Sequence, residues 1–89
     1  MNHVWIFNGA GARTPSAVFK DRAEAEVWIV ANKLSGMLTE YPVGVSVYQW
    51  AIQSGNFKIK NDNDRSPEFI QRFSSGAQEH MHYENGVSD

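Results

Sequence analysis

HVWIFNGAGARTPSAVFKD, residues 3–21, sets how this chain begins to fold. HVWIFN at 3–8 is rich in β-branched and aromatic side chains, which suit a pleated, half-buried surface, and GAGARTP at 9–15 brings the glycines and proline that end such a run. SAVFK at 16–20 is short and apolar again, so it is expected as a second strand folding back antiparallel on the first through that loop. Successive side chains of a strand point to opposite faces, so Trp5 and Phe7 lie opposite Val4 and Ile6, and both faces are apolar. Such a sheet needs cover on both sides. Either the helices divide between the faces, or one face meets another subunit.

Outward from the hairpin, Asp21 with Glu24 three residues later has the spacing of a helix N-cap, and AEAE follows with strong helix formers. A helix is expected to about residue 34, with Ala23, Val27, Val30 and Leu34 as its apolar stripe, Trp28 and Ala31 widening it, and Gly36 as its stop. MLTEY at 37–41 reads as a third strand closed by Pro42, which cannot donate to a ladder. Ser46 caps a short helix over VYQWAIQS that ends at Gly55, and its Val47, Trp50 and Ala51 share a face. KIKNDNDR at 58–65 has little to bury and reads as a solvated loop. Ser66-Pro67 then opens a third helix with Phe69 and Phe73 one turn apart, and residues 78–86 form the last strand. The order ββαβααβ predicts an α+β fold with a mostly antiparallel sheet of about four strands and three helices.

Composition bounds what such a fold can do. Eighty-nine residues suffice for one domain, because a chain of this length buries only about 60–65% of its unfolded surface, and a composition that is 42% hydrophobic can stock one core. The chain holds no cysteine, which excludes disulfides, thiolate nucleophiles and the common structural zinc sites. The apolar run Val4-Trp5-Ile6-Phe7 is too short for a membrane span or a signal peptide, so the protein is placed in the cytoplasm without a membrane partner. Eight basic residues, dispersed, against ten acidic ones make nucleic acid a poor partner, since duplexes are held mainly through Lys and Arg on phosphate.

Chemistry concentrates in QEHMHYENG, residues 78–86, which holds two of the three histidines. On a strand, Gln78, His80, His82 and Glu84 share one face, while Ala77, Glu79, Met81 and Tyr83 share the other and are expected to turn inward. The two imidazoles then stand about 6.6 Å apart along the strand, a spacing at which a zinc ion could be shared. A catalytic metal needs a third ligand, from Glu84, His3 or a loop aspartate, and no cofactor or metal is assigned. His and Glu together could instead transfer protons, or simply line the polar face of a terminal strand. GAGAR at 9–13 lacks the third glycine and the lysine of phosphate loops, so it is read as a hairpin loop, with a weak anion nest at Arg13 as the alternative. No GxSxG elbow is present. Trp5, Trp28, Trp50, Tyr48 and Phe57 are expected in the core, with one or two, Trp50 foremost, free to anchor a partner.

Taken together, VWIFNGAG, SAVF with EAEVWI, LTEYPV, VYQWAI, PEFIQRF and QEHMHYENG resemble a family of small uncharacterised bacterial proteins, a domain of unknown function, over about residues 3–86. The resemblance implies no activity, cofactor or catalytic residue. The resemblance implies that related chains often have acidic residues where this one has Gly44 and Gln49, so it carries no role over to those two positions. Over a shorter stretch, SAVFKDRAEAEVWI is similar to the strand-turn-helix of the small hybrid-binding module found beside some ribonuclease H enzymes, which implies nucleic-acid binding as an alternative. The leading expectation is a non-enzymatic module that binds a protein partner or itself through an aromatic surface beside residues 78–84, with His80, His82, Glu84, Gln78, Trp50 and Arg13 as candidate contacts. A small metal-assisted or acid/base enzyme built on His80, His82 and Glu84 is the second.

Overall fold

The computed structural model describes residues 2–88. Five strands, β1 (His3–Gly9), β2 (Ala17–Phe19), β3 (Gly36–Pro42), β4 (His80–Glu84) and β5 (Val87–Ser88), form one sheet in the order β2-β1-β3-β4-β5 with every neighbouring pair antiparallel. Three helices, α1 (Arg22–Ala31), α2 (Val47–Gln53) and α3 (Pro67–Gln71), interrupt the strands, and KIKNDNDR contains a single 3-10 turn over Asp62–Arg65. The fold is α+β in the expected order, with a fifth strand added at the end. That strand follows a two-residue hairpin at Asn85-Gly86, where both residues have positive φ (52° and 83°), as the tight turns that match strand twist require.

Because β2 and β3 both run antiparallel to β1, the β2-α1-β3 connection crosses over β1 and lays α1 on the sheet. The core forms where it lands. Trp5, Phe7, Leu38 and Tyr83 from the sheet and Ala25 and Ile29 from the helix are buried together, with Phe19, Trp28, Leu34 and Met81 packed around them. Trp28 meets Phe7 edge-on at 5.6 Å and Phe19 at 5.5 Å.

Two expectations for α1 are corrected. The face toward the sheet carries Ala25, Trp28 and Ile29, while Val27 and Val30 of the expected stripe point outward at 71% and 58% exposure. The helix is apolar on both sides, and only contact with Phe7 and Leu38 decides which side is inner. Nor does Gly36 stop it. Asp21 caps the start, accepting the Glu24 N–H at 2.9 Å, but the helix ends in a Schellman turn at Lys33 (φ 53°), where Leu34 N–H donates to Ile29 C=O and Lys33 N–H to Val30 C=O. Gly36 is instead the first residue of β3. Its φ is 153°, and a Cβ there would lie 2.2 Å from the Asn8 carbonyl oxygen, so no other residue fits against β1.

Residues 43–79 form an excursion between the paired strands β3 and β4. Within it Tyr48, Phe57, Phe69 and Phe73 pack ring on ring at 5.0–6.3 Å, and the Tyr48 hydroxyl donates to the Asp64 carbonyl at 2.7 Å. Tyr48 and Phe57, expected in the sheet's core, thus belong to a separate aromatic cluster. Ser46 and Ser66 cap α2 and α3 as expected. With this excursion the chain measures 45 × 28 × 20 Å, and its radius of gyration is 14.5 Å. A compact chain of this length would have a radius of about 12 Å.

Two substitutions separate these backbone requirements in denaturant unfolding. Gly36→Ala is expected to destabilise by roughly 2–4 kcal/mol through the clash with Asn8. Lys33→Gly, which relieves a left-handed lysine at the helix end, should stabilise by about 0.5–1 kcal/mol.

Candidate functional site

Strand register sorts the sheet into two faces. Trp5, Phe7, Leu38, Glu40, Met81 and Tyr83 lie on the α1 side, and Val4, Ile6, Asn8, Val18, Met37, Thr39, Tyr41, His80 and His82 on the other. The contrast in burial is sharp. On the first face Trp5, Phe7, Leu38 and Tyr83 are buried, whereas no residue of the second is. Helix α1 packs on β1 and β2, and α2 meets β3.

His80 and His82 stand on this second face, both exposed, their rings edge-to-face at 5.3 Å. The His80 Nδ1 lies 2.8 Å from the Gln78 carbonyl oxygen. A carbonyl only accepts, so Nδ1 donates in this contact. His82 and Glu84 line a groove of about 490 Å³ together with Asn8, Gly9, Ala10, Ser35, Gly36, Met37 and Tyr83. Among the described residues no three His, Asp or Glu side chains converge as a metal site. His3, considered as a third ligand, lies on the other face and pairs with Glu40 at 3.7 Å.

Gln78 does not join the histidines. It precedes β4, is 6% exposed, and its Nε2 donates to the Glu40 carbonyl at 3.0 Å while Glu40 N–H donates to the Glu79 carbonyl at 2.9 Å. It closes the base of the 43–79 excursion, where the alternation of a regular strand has not yet begun, and Glu79 beside it is exposed instead of turned inward. Met81 and Tyr83 do face the core. Arg13 is exposed in the loop after β1 and Trp50 is half-buried on α2, and neither lines the groove with His82. The residues that sequence reasoning missed are Met37, Thr39 and Tyr41. Their signal was the alternation of MLTEY, in which Leu38 turns in and its neighbours turn out.

Opposite the site, Tyr83 locks β4 to α1. Its hydroxyl donates to Glu26 Oε2 at 2.7 Å, and Arg22 reaches the same oxygen at 3.7 Å. Burial, followed by the hydrogen bond to Glu26, pushes the Tyr83 hydroxyl from 10.0 up to about 12.

The family model described as a domain of unknown function (DUF7710) matches residues 4–89. No curated protein and no solved structure matches. Among the described residues no helix is long and apolar enough to cross a membrane.

Two measurements test these assignments. The folded state holds the Tyr83 proton more tightly than the unfolded chain, so its contribution is complete below pH 10 and lost as pH rises through about 12. Tyr83→Phe should flatten this alkaline loss in denaturation curves taken across that range. Gln78→Ala, which strands the Glu40 carbonyl, should cost about 1–3 kcal/mol, whereas His82→Ala on the exposed face should change stability by less than about 0.5 kcal/mol. Over most of its length, from residue 4 to residue 89, the chain belongs to this family of domains of unknown function.

Proposed function

We propose that this protein is a non-enzymatic interaction module that binds protein through the second face of its sheet. The observation that carries the reading is the strip of half-buried Val4, Ile6, Thr39 and Tyr41 with exposed Met37, bordered by exposed His80 and His82, on a sheet whose opposite face buries Trp5, Phe7, Leu38 and Tyr83. Contiguous apolar surface on a soluble fold marks an interaction site, because burying it returns roughly 25 cal/mol per Å². The surface is aliphatic with imidazole at its border, since most of the aromatic rings lie in the core or in the 43–79 cluster, and Tyr41 is its principal ring. Of the six candidate contacts, His80 and His82 sit on this border and Glu84 lies beside His82 in the groove. The metal-assisted alternative draws less support, having two donors where a catalytic site takes three protein ligands. The dispersed charge favours protein over nucleic acid as partner, and the reading keeps the protein in the cytoplasm.

Photo-crosslinking reads the face directly. A crosslinkable residue at Thr39 should trap a protein of some mass in lysate, and one at Val27 on the outer side of α1 should not. No adduct from Thr39, with the variant shown to be folded, would overturn the proposal.

A further inference from the structure

The structure also bears on what covers that face. The chain exposes 6152 Å², roughly 900 Å² more than the about 5,200 Å² expected of a monomer of 10.0 kDa. A stable protein interface takes about 800 Å² from each partner, and this chain, lengthened by the 43–79 excursion, has that much surface beyond a compact monomer of its mass.

The centre of the face, over β1 and β3, is also free of the charge that would keep two copies apart. Its strand residues include no Lys, Arg or Asp, and the one Glu, Glu84, stands at the far end of β4, outside the rows that run across β1 and β3. A charged patch cannot be laid on itself, whereas an uncharged apolar one can, and two-fold pairing of a surface with itself is the commonest mode of assembly.

We propose, building on the interaction-module reading, that the partner is a second copy of this chain, with the two sheets packed face to face about a two-fold axis. The register makes the surface self-complementary. Val18, Ile6, Thr39 and His80 form one row across four strands. A two-fold axis along the strands and between β1 and β3 maps this row onto itself, setting Ile6 over the partner's Thr39 and Val18 over the partner's His80. The next rows follow in the same way, Val4 meeting the partner's Tyr41 and Asn8 the partner's Met37. Each contact joins an apolar or uncharged group to another, and twisted sheets stack in this manner about 10 Å apart with their strands within about 30°. The joined molecule is then a four-layer unit, helix-sheet-sheet-helix, with α1 and its exposed Val27 and Val30 on the outside.

Sedimentation equilibrium of the full chain, from low micromolar up to ~0.5 mM, tests this. The wild type should weigh twice 10.0 kDa at the upper concentrations. Val18→Glu and Met37→Glu, both at exposed positions where the fold tolerates charge, should weaken the dimer at least about tenfold, with far-UV circular dichroism unchanged. Val27→Glu should leave it intact. A chain that stays monomeric throughout, or a dimer broken by Val27→Glu and untouched by the other two, would overturn the proposal. The interaction-module reading is judged separately: Thr39 adducts with a different protein from a monomeric chain would sustain it and reject self-pairing, and the absence of any adduct would end both.

Discussion

The packing of Ala25 and Ile29 against Phe7 and Leu38 governs everything else in this molecule. All four are almost completely removed from water, and they join the chain's longest helix to its two central strands. Once α1 lies there, Trp28 wedges between Phe7 and Phe19, Tyr83 reaches Glu26, and the Asn85-Gly86 turn closes against the helix end, with Gly86 N–H donating to the Leu34 carbonyl at 2.8 Å. Each contact depends on the helix having chosen that face.

The choice also leaves something undone. A sheet with apolar side chains on both sides needs two covers, and this chain makes one long helix. Its remaining helices, seven and five residues long, build their own aromatic cluster within the excursion between β3 and β4. The second sheet face is left half-buried or exposed, with none of its described strand residues fully removed from water. That geometry joins fold to function here: apolar surface that the chain cannot bury by itself is available to be buried by another.

QEHMHYENG shows how far a pattern carries. Alternation correctly separated Met81 and Tyr83 from His80 and His82, because a strand has no other way to place them. It failed one step earlier, at Gln78, since the ladder begins only at His80 and the chain before it is bent to return from the excursion. It also stopped one strand short, although Asn85-Gly86 is among the strongest local hairpin signals. Within the site, the histidines were legible as residues, but their groove was not. Met37, Asn8 and Ser35 come from strands and loops far away in the chain.

Local chemistry, then, determined the elements. The caps at Asp21, Ser46 and Ser66, the proline at Pro67 and the strand runs around Trp5 and Leu38 act through neighbours three or four residues away, and no tertiary context was needed to read them. The strand order, the inner side of α1 and the open side of the sheet belong to the tertiary structure. Helix α1 is apolar on two sides and β1 on both faces, so periodicity offers alternatives of nearly equal merit. Only the long-range meeting of Ile29 with Phe7 and Leu38, which buries the largest side chains together, breaks the tie.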